Sequence, residues 1–148
     1  MTNVLGHPVH PALVHFPIGL LLSATIADLA WVAGLTHDTH IAAILMAGGL
    51  AGGLLAMVAG MVDLIRLDQK LVGHATVHMS VVGLAWIGYA VALYLRKDAL
   101  TGSAPIATPT VAVSIVSAII LAAGGWLGGR LVYTFGANVE PARSPTPD

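Results

Sequence analysis

Five of the seven histidines, His7, His10, His15, His74 and His78, fall at two points of a chain that contains no cysteine. Neutral imidazole binds transition metals and haem iron, and it titrates near neutral pH, so such a grouping can hold a cofactor or pass protons. The lack of cysteine excludes disulfides, thiolate metal sites, cysteine-held iron–sulfur clusters, covalent haem attachment and thiol nucleophiles. His74 and His78 are four residues apart and share one face of a continuous helix. His10 and His15 do not repeat that spacing, because Pro11 and Pro17 constrain the start of their helix. His37 and His40 stand apart from the rest and are expected to be ordinary solvated histidines of a short loop.

Two carboxylates fall inside apolar segments, where ionisable groups are rare and mark functional candidates. Asp63 lies at the same end as the histidine group and can orient an imidazole as a hydrogen-bond acceptor. Asp28 lies well beyond His15 on a different face, and is expected to form a separate polar spot with a serine such as Ser23, Ser114 or Ser117.

The elements that carry these residues are set by composition. The chain is 57% hydrophobic and 9% charged, with a mean hydropathy of +0.87, whereas soluble domains carry about a quarter of their residues as charges. Four stretches, 13–35, 40–64, 74–95 and 110–133, reach the roughly 20 apolar residues that cross a bilayer. The fold class expected is therefore all-α, an integral membrane four-helix bundle over residues 1–139, followed by a disordered tail at 140–148. The first span lacks a basic start and a small-residue cleavage site, so it is expected to stay in the mature protein. With a net charge of −1, the chain offers no footprint for nucleic acid, and the partner expected is the lipid bilayer.

Four helices place both termini and the loop between the second and third spans on one side, here side A. The basic residues Arg66, Lys70, Arg130 and Arg143 on side A outnumber Arg96 and Lys97 on side B, which favours cytoplasmic termini. All five grouped histidines are at side A.

Local matches suggest two related helical hairpins. Val14-His15 opens one helix as Val77-His78 opens another, and Gly48-Gly49-Leu50-Ala51-Gly52-Gly53 resembles Gly124-Gly125-Trp126-Leu127-Gly128-Gly129. In that alignment His15 and His78 face each other across an axis along the membrane normal. Gly49 and Gly53 lie on one small-residue face, as do Gly125 and Gly129. Such faces let helix backbones approach closely, or leave room for a flat cofactor.

Four chemistries are open to the side A group. One b-type haem needs one histidine from each hairpin, which His15 and His78 supply. A zinc, copper or iron site would use histidines with Asp63. A proton relay or pH sensor needs no cofactor, and a structural membrane subunit needs none of these.

The runs Gly6-His7-Pro8-Val9-His10-Pro11-Ala12-Leu13-Val14-His15-Phe16-Pro17-Ile18-Gly19-Leu20, Gly60-Met61-Val62-Asp63, His78-Met79 and Gly125-Trp126-Leu127-Gly128-Gly129-Arg130-Leu131-Val132-Tyr133 resemble the bacterial membrane family catalogued as domain of unknown function 2231. The resemblance covers about residues 6–139. The chain departs from the family at Val82, where an asparagine is frequent, and at Gly136-Ala137-Asn138-Val139, where a Gly-Val-Gly-Val run is frequent. Relatives fused to Rieske-type or cytochrome c-like domains imply electron transfer. That favours the haem reading, a haem b held by His15 and His78 with His10, His74 and Asp63 as surrounding contacts or alternative ligands, and a redox carrier or subunit rather than a stand-alone enzyme. A Rieske-type or cytochrome c-like redox partner, a quinone and the bacterial inner membrane are further implications.

Overall fold

The computed structural model describes residues 3–4, 7–137 and 139, with residues 3–4 and 7–9 in their backbone only. Four long helices make up nearly all of it: α1 Val9–Val32, α2 His40–Ile65, α3 Gln69–Leu95 and α4 Thr108–Tyr133. Each is long and apolar enough to cross a membrane. A two-residue antiparallel ladder, Asn3–Val4 against His7–Pro8, precedes α1. The tail at 140–148, with Arg143, lies outside the described residues.

Local chemistry sets the ends. Gly34, at φ +72, closes α1 in a left-handed turn, with Leu35 N–H bonded to the Ala30 carbonyl and Gly34 N–H to that of Trp31. The Asp38 carboxylate accepts the His40 N–H at the start of α2, and Asp68 accepts the Lys70 N–H at the start of α3. The helices α1 and α3 begin earlier than hydropathy places them, because polar and proline-bearing first turns extend beyond the apolar stretch. Pro17 sits inside α1, where its ring packs over Gly52 of α2.

The helices form two tight hairpins, α1 with α2 and α3 with α4, which meet more loosely through α2 with α3 and α1 with α4. The hairpins repeat each other under a shift of 68 residues, the separation of Asp28 and Arg96. Six of the seven buried positions of α2, Ala42, Ala43, Met46, Gly49, Ala56 and Asp63, fall on Thr110, Val111, Ser114, Ser117, Gly124 and Leu131, all buried in α4, and the seventh, Leu50, falls on the half-buried Ala118. In α1, Leu21, Ala24 and Asp28 fall on Tyr89, Ala92 and Arg96. Ala24 and Ala92 are both fully inaccessible, as residues beside a two-fold axis would be. The expected pair of hairpins is present, but in another register. His10, not His15, is the counterpart of His78.

Leu21, Met46, Leu50, Tyr89 and Leu121 fill the core between the hairpins. Large apolar side chains such as Ile26, Val58, Leu84 and Ile119 point outward, as lipid-facing residues must. Side B is laced shut. Thr39 Oγ1 donates to the Ala104 carbonyl at 2.8 Å and accepts the Ala104 N–H at 3.0 Å. His40 bonds through Nδ1 to the Ala99 carbonyl at 2.7 Å, so it fastens the loops together rather than standing in solvent as expected; His37 is exposed.

Candidate functional site

Two histidines are held in the same way at side A. His10 Nδ1 lies 2.8 Å from the Ala56 carbonyl oxygen of α2, and His78 Nδ1 lies 2.9 Å from the Gly124 carbonyl oxygen of α4. Both bonds span 46 residues, and they coincide under the hairpin repeat. A carbonyl can only accept, so Nδ1 carries the proton in each ring. In the neutral imidazole the lone pair is then on Nε2. Neither Nε2 has a hydrogen-bond partner among the described residues.

A glycine makes each seat. A Cβ at Gly60 would stand 3.0 Å from His10 Cε1, and one at Gly128 would stand 2.9 Å from His78 Cε1. Real Cβ atoms essentially never come so close, so both rings lie against bare helix backbone. His10 and His78 lie within electrostatic range of each other, both half-buried. Imidazoles held in this tautomer present Nε2 lone pairs that can bind a metal or accept protons.

The other candidates are placed differently. His15 is exposed on the outer face of α1, so it does not face His78 as the alignment of Val14-His15 with Val77-His78 expected. The slip is from one Val-His pair to another: Val9-His10 is the true counterpart. His74, one turn before His78, is exposed and packs against the Phe135 ring at 4.4 Å between centroids. Asp63 is buried at the side A end of α2, one turn past Gly60. His7 is described in its backbone only. Among the described residues no group of three or more histidines and carboxylates is close enough to hold a metal ion.

The glycines expected to leave room for a cofactor also differ. The space over Gly49 is filled by Leu21, and that over Gly53 by Trp86, whose indole N–H donates to the Leu50 carbonyl at 3.0 Å. Nothing lies within 4 Å of a Cβ at Gly125 or Gly129, which face away from the packed side. Their neighbours Gly124 and Gly128 face α3 instead, and Val82 occupies the space over Gly124.

The polar spot towards side B has a stronger partner for Asp28 than any serine. Arg96, at the end of α3, binds both carboxylate oxygens of Asp28, with Nη2 at 2.9 Å from Oδ2, and also donates to Ser114 Oγ at 3.1 Å and from Nε to the Ala92 carbonyl at 3.2 Å. The Arg96 side chain is 0% exposed and that of Asp28 is 1%. Between this ion pair and the histidines, the Tyr89 hydroxyl and Thr25 Oγ1 share a hydrogen bond of 2.8 Å.

The family model described as "Predicted membrane protein (DUF2231)" matches residues 6–141, and the chain belongs to that family. No curated protein and no solved structure matches it.

Proposed function

We propose that this member of the family is a small redox carrier of the membrane, in which His10 and His78 hold one b-type haem near side A. The observation that carries the reading is the matched pair of seats, each with Nδ1–H committed to a carbonyl and Nε2 left with its lone pair. The donor chemistry fits: a porphyrin supplies four ligands of its own and asks the protein for two, whereas a bare metal ion asks for three or more. Two seated histidines, with no third histidine or carboxylate grouped with them among the described residues, suit the first demand better than the second. When bound, haem supplies a one-electron ferric/ferrous couple. The chain's part is to fix both imidazole tautomers through Ala56 and Gly124, and to keep the rings at the bundle end, where electrons can be exchanged with a partner.

A Rieske-type or cytochrome c-like domain, or a quinone, is the partner class this reading implies. The same proposal includes the bacterial inner membrane with side A towards the cytoplasm. Burial of Arg96 in its ion pair supports that orientation, since it removes one of the two basic residues counted for side B.

The test is the absorption spectrum of the full chain purified after expression with supplemented haem. A Soret band is expected, lost in His10→Ala and in His78→Ala and kept in His15→Ala. Colourless wild-type protein, or a band that depends on His15 rather than His10, overturns the reading.

A further inference from the structure

We infer that the open groove between the start of α3 and the end of α4 binds an anionic phospholipid, its phosphate at the rim and the first part of an acyl chain on the floor. The groove is about 340 Å³, with Lys70, His74 and Arg130 among its polar lining, Val77 and Leu127 on its apolar floor, and Phe135 at its edge. Among the described residues no acidic side chain lines it. Among the described residues neither Lys70 nor Arg130 forms an ion pair; the two ion pairs found involve Arg96 and Lys97.

The cation at the rim is pre-set. The Arg130 guanidinium lies 5.0 Å from the centroid of the Trp126 ring and 5.5 Å from that of Phe135. Stacking on aromatic faces leaves the in-plane N–H donors of a guanidinium available to an oxyanion. Phe135 is brought there by the widened end of α4, where Phe135 N–H bonds to the Arg130 carbonyl and Ala137 N–H to that of Leu131, with Gly136 at φ +64. Phe135 in turn holds His74.

Charge complementarity selects an anion, and the floor selects a lipid over a soluble one. Both walls are ends of membrane-crossing helices, so the groove lies at headgroup depth and its apolar floor continues towards the acyl region. This inference uses none of the histidine seats, and it stands whether or not haem is bound.

The test uses the full chain in detergent, with native mass spectrometry against phosphatidylglycerol and phosphatidylcholine of equal acyl length. Preferential retention of phosphatidylglycerol is expected, weakened roughly 30-fold in the double variant Lys70→Gln/Arg130→Gln, from the usual contribution of two basic side chains near a lipid headgroup. Leu127→Trp, which keeps both charges and fills the floor, should also weaken it, and Lys97→Gln on side B should not. Equal retention of the two lipids, full retention by the double variant, or an equal loss in Lys97→Gln overturns the proposal. Displacement by excess inorganic phosphate does so too, because the site would then be one for a soluble anion.

Discussion

Gly128 is the floor on which His78 lies: a Cβ at that position would stand 2.9 Å from Cε1 and 3.3 Å from Nδ1 of the ring. Gly60 stands in the same relation to His10. Each glycine is therefore read as part of its histidine's site, not as a general aid to helix packing.

Gly60→Ala and Gly128→Ala should each push an imidazole off its carbonyl. Overpacking of this kind costs about 1–3 kcal/mol. Thermal unfolding in detergent should show the loss, and under the haem proposal the Soret absorbance should fall with it. Gly125→Ala, with nothing within 4 Å of the new methyl group, should leave both unchanged.

Arg96→Met should be among the most damaging single changes, because it strands the Asp28 carboxylate in the bundle. Breaking one side of a buried pair costs about 3–5 kcal/mol, while replacing both with apolar residues of similar volume is often neutral. Asp28→Leu/Arg96→Met should thus recover most of the stability that Arg96→Met loses. A double-mutant cycle by chemical denaturation measures the difference.

Tyr89→Phe should cost about 1 kcal/mol, the usual net worth of one hydrogen bond. Thr25 keeps a second acceptor in the Leu21 carbonyl at 3.2 Å, so its hydroxyl is not orphaned. A loss several times larger, in the same denaturation assay, would mean that the hydroxyl does more than bond to Thr25.

At side B, the Ser103 hydroxyl and then the His40 N–H hold the Asp38 carboxyl below its ordinary value of 3.8. The folded value is depressed, so the contribution is present above 3.8 and is lost as pH falls through the lower folded value. Ser103→Ala should move the Asp38 titration, followed by carboxyl NMR, upward towards 3.8.

The four spans, the all-helical class and the concentration of histidines at one end were legible in the sequence because hydropathy and counting decide them. The register of the repeat was not. Val-His occurs at Val9-His10 and again at Val14-His15, and the Gly19-Leu20 match favoured the second. What separates them is a distance between helices. His10 to Ala56 and His78 to Gly124 share a separation of 46, which is meaningful only once the carbonyls are known to be partners. A separate error of one residue put Gly125 and Gly129 at the packed face in place of Gly124 and Gly128, because four glycines in adjacent pairs fit either face of the helix by size alone. The burial of Arg96 was not legible because a basic residue at a span end looks like a loop charge, and burial there depends on the fold of the opposite hairpin.

The union of Asp28 with Arg96 also dictates which halves can associate. A position that meets its own repeat-mate across a two-fold axis would, in a dimer of identical hairpins, meet a copy of itself. Two α1–α2 hairpins would bring carboxylate against carboxylate, and two α3–α4 hairpins guanidinium against guanidinium. Opposite charges at this one position make the hairpins obligate complements and penalise each as a partner for itself. If the chain were cut between α2 and α3, the fragments should reassemble only as one of each kind, and exchange of the two charges between the halves should preserve that rule.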